Sequence, residues 1–273
     1  MKYLQETLTT PLSKTATLTG YILDNSPEMD VDRRRPAVII LPGGGYEFLS
    51  DREAEPVAIQ FAARGFQAFV LRYSVAPARF PASLLELAQA VATVRQHAAE
   101  WHVLPDKIVI QGFSAGAHLA ASLGVFWNSA LLKKYGFTAA EIQPNGLSLA
   151  YPVITSGEFA HEGSIKALLG DDYSDVTKRA EVSLENQVTP ATPPTFLWCT
   201  YTDGLVPMEN SLLFAGALRK ANVSCELHVF PEGDHGLSLA NAETQHVSGT
   251  GVLPQVAVWP DLFTTWMHHV IEK

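Results

Sequence analysis

A mostly parallel β-sheet with helices on both faces is the fold class predicted for this chain of 273 residues. Three observations point there. Short β-branched or aromatic runs alternate with longer amphipathic segments along most of the length, the rhythm of an α/β protein. Hydrophobic residues make up 47% of the chain against 17% charged, so a large buried core can form, whereas disordered chains are poor in apolar residues and high in net charge. The length suits one α/β domain, which commonly reaches about 250 residues, and 1–273 is read as a single domain.

The elements follow in order. Residues 1–34 form an N-terminal strand segment in which Ala16 to Leu23 is strand-like. Ala37-Val38-Ile39-Ile40-Leu41 is a continuous apolar run and reads as a strand buried on both faces, ended abruptly by Pro42-Gly43-Gly44-Gly45. Ser50-Asp51-Arg52-Glu53 has the S-x-x-E spacing of a capping box, which predicts a helix from about Asp51 to Arg64, stopped by Gly65. Phe66 to Tyr73 supplies the next strand. Leu84 to His102 carries Leu87, Val91, Val94 and Ala98 at spacings of three and four, giving a helix with one buried stripe. Lys107 to Gly112 reads as a strand, Ser114 to Phe126 as a buried helix, and Gly146 to Tyr151 and Thr195 to Tyr201 as further strands. Met208 to Ala221 is helical, Ser224 to Phe230 a strand, and Val258 to Ile271 a closing helix. Two stretches, 155–194 and 240–257, break the rhythm; as insertions between sheet elements they are expected to line the site.

Charge and composition exclude several partners. The chain carries 19 Lys and Arg against 28 Asp and Glu, a net −9, and its longest basic run is Arg33-Arg34-Arg35, so nucleic acid is not expected. Apolar runs such as Ala37 to Leu41 fall far short of the roughly 20 residues that span a bilayer. Met1 to Gly20 has no apolar stretch of the roughly 7–15 residues found in a signal peptide, so a cytoplasmic protein without a membrane partner is expected. Cys199 and Cys225 are read as a reduced pair. Homodimers are the commonest oligomers, which leaves a second copy as the macromolecular partner to consider.

The chemistry begins at Gly112-Phe113-Ser114-Ala115-Gly116, a G-x-S-x-G between a predicted strand and a predicted helix. A nucleophilic serine must leave the packed core and face a cleft; a sharp strand-to-helix turn does this only if its neighbours lack bulk. A serine hydroxyl needs a base. Of nine histidines, His235 in Asp234-His235-Gly236 follows the last strand on a glycine-flanked loop, whereas His118, four residues after Ser114, points along the helix below the turn and is read as structural. Asp203, opening Asp203-Gly204-Leu205-Val206-Pro207 at a strand end, is the acid that would fix the imidazole; Asp234 is its rival but adjoins His235 in the chain, where side chains diverge. Gly44 and Gly45, with Ala115 after the serine, offer bare N–H groups for an oxyanion hole. No G-K-[ST], G-x-G-x-x-G or H-E-x-x-H occurs and Asp171, Asp172 and Asp175 miss calcium-loop spacing, so neither cofactor nor metal is expected.

With these four motifs in this order, the chain resembles α/β-hydrolase esterases, most nearly the small acetyl esterase and acetyl-xylan-esterase-like group related to hormone-sensitive lipase. The resemblance spans about residues 35–270. It implies Ser114 as nucleophile, His235 as base, Asp203 as acid, and the N–H groups of Gly44, Gly45 and Ala115 as the hole. Pro42 stands where the larger group has a histidine that helps hold the glycine loop. The short segment before the first core strand implies no large cap over the pocket, hence short acyl groups, because each unburied methylene forgoes about 0.8 kcal/mol. A small-molecule ester, an acetylated carbohydrate by resemblance, is the expected substrate, with Tyr46 and Tyr151 flanking it. An amide-directed hydrolase of the same fold, arylformamidase-like or peptidase-like, and a catalytically silent binding protein are the alternatives.

Overall fold

The computed structural model describes residues 1–272. Its centre is one eight-stranded sheet. In chain order the strands are β1 (Lys2–Thr10), β2 (Ser13–Ile22), β3 (Arg35–Leu41), β4 (Gln67–Arg72), β5 (Val103–Phe113), β6 (Gly146–Ala150), β7 (Thr195–Thr200) and β8 (Cys225–Phe230). Their spatial order is β1-β2-β4-β3-β5-β6-β7-β8. β1 and β2 pair antiparallel as a hairpin and β2 joins β4 antiparallel; every pairing from β4 to β8 is parallel. The helices are α1 (Glu55–Ala63), α2 (Ala82–Gln96), α3 (Ala115–Phe126), α4 (Ala130–Lys134), α5 (Ala139–Ile142), α6 (Glu162–Leu169), α7 (Val176–Glu181), α8 (Glu209–Lys220) and α9 (Trp259–Trp266).

Successive side chains of a strand point to opposite faces, and β3 shows what that produces when both faces are covered. Val38 and Ile40 join the aromatic layer built by α1 and α9, with Phe61, Trp259 and Phe263. Ala37, Ile39 and Leu41 face the other layer, where α2 and α3 bring Leu87, Val91, Val94, Ala117 and Leu119. The continuous apolar run is therefore buried on both faces, as read from the sequence. Among the described residues no helix is long and apolar enough to cross a membrane. Both cysteines are free thiols, Cys199 buried and Cys225 half-buried.

One expectation fails in a way that bears on the site. The helix predicted from Asp51 begins instead at Glu55, with Pro56 in its first turn, and Asp51–Glu53 forms a separate 3-10 turn. Ser50 caps nothing through its side chain. Glu53 turns inward, 3% exposed, rather than back to a helix terminus. The predicted helix to His102 also stops at Gln96.

Candidate active site

Three strand ends deliver three side chains to one place. Ser114 directly follows β5, Asp203 lies just beyond β7, and His235 sits on the loop after β8. The crevice at the carboxyl ends of the strands is where open parallel sheets hold their ligands.

The turn at Ser114 is built by close backbone approach. Ser114 has φ 52° and ψ −117°, a region costing a non-glycine residue of order 1–3 kcal/mol. Hydrogen bonds hold it there: Ser114 N–H donates to Ala150 O at 3.0 Å, and the Ser114 carbonyl receives the N–H groups of Ala117, His118 and Val153. The flanking glycines are sterically required. A Cβ on Gly112 would overlap Gly116 O and the Ala117 backbone, and one on Gly116 would overlap the carbonyls of Leu41 and Pro42. The serine is thus pressed against the loop that leaves β3.

His235 completes a hydrogen-bonded line. Its Nδ1–H donates to Asp203 Oδ2 at 2.7 Å, which leaves the Nε2 lone pair facing the Ser114 hydroxyl, also at 2.7 Å. The Asp203 side chain is almost wholly buried. Its other oxygen accepts the N–H groups of Leu205 at 3.0 Å and Val206 at 2.9 Å, so the turn Asp203-Gly204-Leu205-Val206 aims the carboxylate. Asp234, the rival acid, is exposed. The N–H groups of Gly44, Gly45 and Ala115 donate to no acceptor among the described residues, and Ala115 opens α3, where the helix dipole favours negative charge. Gly44, Gly45, Ser114 and His235 all line a cleft of about 340 Å³. His161 from the 155–194 stretch and His246 from the 240–257 stretch line it too.

This arrangement can attack a carbonyl and hold the resulting oxyanion, and comparison with known proteins places it in a family. The sequence profile of the BD-FAE family matches residues 25–218. The chain belongs to the BD-FAE family. It is 39% identical over 218 residues to an endo-1,4-beta-xylanase B of Butyrivibrio fibrisolvens, covering 78% of this chain and 34% of that protein. It is 31% identical over 205 residues to an acetylxylan esterase of Xylanibacter ruminicola, covering 73% of this chain and 40% of that protein. The chain therefore spans well under half the length of these two curated relatives. Solved structures match more completely. The acetyl ester-xyloside bifunctional hydrolase from Caldicellulosiruptor lactoaceticus superposes with a TM-score of 0.80 at 41% identity, over 93% of this chain and 88% of the other. The carboxylesterase Cest-2923 from Lactobacillus plantarum WCFS1 superposes with a TM-score of 0.87 at 30% identity, over 98% and 97%. The fold is that of the α/β hydrolases.

In this BD-FAE chain the glycine loop is held without the histidine that Pro42 displaces. Glu53 Oε2 accepts Gly43 N–H at 2.8 Å, while Tyr151 donates its hydroxyl to Glu53 Oε1 at 2.6 Å and accepts Ser238 N–H at 2.9 Å. One buried carboxylate thereby joins the loop after β3 to the end of β6 and to the loop carrying His235. Burial pushes the Glu53 carboxyl above the usual carboxylate range, opposed by the Tyr151 hydroxyl and Gly43 N–H. Tyr73 donates to Pro42 O at 2.6 Å. Arg52 fastens the far side, donating to Gly236 O at 3.0 Å and Thr244 O at 2.7 Å. Trp259, stacked on Trp198, donates its indole N–H to Ser238 O at 2.9 Å.

The expected flanking tyrosines are corrected by this network. Tyr46 and Tyr151 are each 2% exposed and neither lines the cleft. Tyr46, at φ 61°, hydrogen-bonds His118 Nδ1 at 2.9 Å through its hydroxyl, and His118 Nε2–H donates to Val182 O at 2.9 Å. Both tyrosines spend their hydroxyls on internal partners, because a buried phenol needs one. Their rings are aligned by the same contacts; that of Tyr151 lies edge-on to His235, 5.0 Å between centroids. Glu53, Arg52 and His161 had drawn no site role from the sequence. For Glu53 the S-x-x-E spacing pointed to a helix cap.

Proposed function

We propose that the protein is a serine carboxylic ester hydrolase for short acyl esters, acetyl above all, carried on carbohydrates. The observation that carries this reading is the continuous Ser114–His235–Asp203 line, 2.7 Å at each step, opening beside three uncommitted backbone N–H groups. His235 takes the Ser114 proton as Oγ attacks the ester carbonyl, and the electron pair displaced onto the carbonyl oxygen is held by the N–H groups of Gly44, Gly45 and Ala115. Collapse expels the alkoxide, which takes the proton back from His235 and leaves as the sugar hydroxyl. Water, deprotonated by the same imidazole, then cleaves the acyl-serine and releases acid.

The cleft wall supports a small acyl group. Phe48 and Leu205 are its large apolar residues, beside Gly44, Gly45, Glu47, Ser50 and Arg52, so a long chain gains little burial at about 0.8 kcal/mol per methylene. The names of the relatives, acetylxylan esterase and acetyl ester-xyloside hydrolase among them, support acetylated sugar. Ser114→Ala should lower turnover of p-nitrophenyl acetate and acetylated xylo-oligosaccharide by about a thousandfold or more with the fold intact by circular dichroism; an unimpaired rate would overturn the assignment. In the wild type, p-nitrophenyl acetate should outpace the butyrate and octanoate esters in kcat/KM, and an octanoate optimum would refute the short-acyl reading.

A further inference from the structure

The imidazole of His161 is fixed at one end and open at the other. It stands at the start of α6, where its Nδ1 accepts Ser164 N–H at 3.3 Å and meets the Ser164 hydroxyl at 2.8 Å. A backbone N–H can only donate, so Nδ1 presents its lone pair and the neutral ring carries its proton on Nε2. Burial first, and then the charge of a protonated His235, lower the His161 pKa, against Asp203 and Glu47, which raise it; the ring is therefore neutral near pH 7.

The Nε2–H group has no hydrogen-bond partner among the described residues. It is not one of the enclosed atoms without a partner, which belong to Arg179, Glu185, Trp198, Ser211 and Trp266, so this donor is accessible rather than sealed in. The open space that His161 borders is the catalytic cleft, shared with Ser114, His235, Gly45 and Glu47.

What such a donor reads follows from the oxygens that an acetyl ester offers. The carbonyl oxygen is matched by the N–H groups of Gly44, Gly45 and Ala115, and the ester oxygen takes the proton of His235 as it leaves. The methyl group has none. A further acceptor therefore lies on the alcohol half, as the hydroxyl or ring oxygen that neighbours the ester in a sugar and is missing from a simple alkyl alcohol. Other donors on the wall are committed or loosely held: Arg52 gives Nε and Nη1 to Thr244 O and Gly236 O, and His246 is exposed. Resting on the reading of the cleft as a carbohydrate esterase site, we propose that His161 is a specificity-determining residue whose Nε2–H donates to an alcohol oxygen neighbouring the ester, so that acetates of polyhydroxy alcohols are preferred over acetates of apolar ones.

Two variants of the full chain separate this contact from the helix cap. His161→Ser keeps an N-cap acceptor for Ser164 N–H and removes the donor from the cleft, whereas His161→Gln gives up the ring but carries an N–H donor at a similar reach. The probes are cyclohexyl acetate and trans-2-acetoxycyclohexanol, the same ester without and with a neighbouring hydroxyl. In the wild type kcat/KM should favour the hydroxylated probe by about three- to tenfold, the worth of one neutral hydrogen bond. His161→Ser should bring that ratio close to one, and His161→Gln should retain most of it. A ratio unmoved by His161→Ser, or lowered equally by both variants, overturns the contact and leaves the esterase reading standing. Nitrogen-15 spectra of the histidine rings, titrated with xylobiose, read the contact without turnover: the Nε2 signal that His161→Ser deletes should shift. If neither acetate is hydrolysed, that shift keeps the contact and places the error in the reading of the cleft, while its absence removes both.

Discussion

Glu53 shows how much one side chain holds. Its carboxylate receives Gly43 N–H and the Tyr151 hydroxyl at once, and a carboxamide has only one oxygen with which to do so. Glu53→Gln should therefore leave one donor unmatched and loosen the loop that presents Gly44 and Gly45, costing about 1–3 kcal/mol. Expressed in the transition state, that is roughly tenfold to a hundredfold in kcat with KM little changed; steady-state kinetics on p-nitrophenyl acetate check it, and a loss confined to KM would count against it. His118 makes a prediction in pH. Burial pulls its pKa from 6.5 to about 4, so as pH falls through that interval the unfolded chain takes the proton before the folded one. The His118 contribution is intact above pH 6.5, is lost progressively down to about 4, and levels off below, with a ceiling of order 3 kcal/mol. Urea unfolding at pH 7 and pH 4 should show a smaller pH-dependent loss in His118→Gln than in the wild type. Ser114, Asp203 and His235 were legible as residues because each stands among glycines or prolines at a strand end. Glu53 was hidden, because its spacing from Ser50 matches a local motif while its partners lie 10 and 98 positions away.

Elements were legible where the sequence carries an apolar run or stripe several residues long. β3 to β8, α3 and α8 announced themselves as apolar runs or stripes, whereas β1, an edge strand with alternating exposure, and the short α4 to α7 gave no period long enough to read. The glycines of the strand-to-helix turn carry an element-scale prediction. An added Cβ at Gly116 would force α3 away from β3, because the obstructing atoms are backbone carbonyls that cannot rotate aside. Gly116→Ala should destabilise by about 1–3 kcal/mol and, on the proposed function, remove most turnover of p-nitrophenyl acetate. Gly216, inside α8 with open space where a Cβ would go, should respond oppositely: Gly216→Ala stabilises by about 0.5–1 kcal/mol through helix propensity. Thermal unfolding of the two variants side by side reads the contrast.

At the scale of the whole molecule the site is a meeting of distant segments, with Ser114 and His235 separated by 121 positions. Strand order could be guessed to bring strand ends together, but which loop leans on which depends on long hydrogen bonds such as those from Arg52 to Gly236 and Thr244. No local pattern encodes those. The same holds for the stretch from Glu162 to Asn186, built of short helices and turns that the sequence rhythm left unassigned. The indole pair beneath the imidazole loop has a practical bearing. Trp259 grips Ser238 O and stacks on Trp198, which meets Tyr151 edge-on, as Tyr151 meets His235. Displacement of that loop alters the surroundings of two native fluorophores, so the protein carries a built-in optical gauge of the His235 loop's position that requires no attached dye.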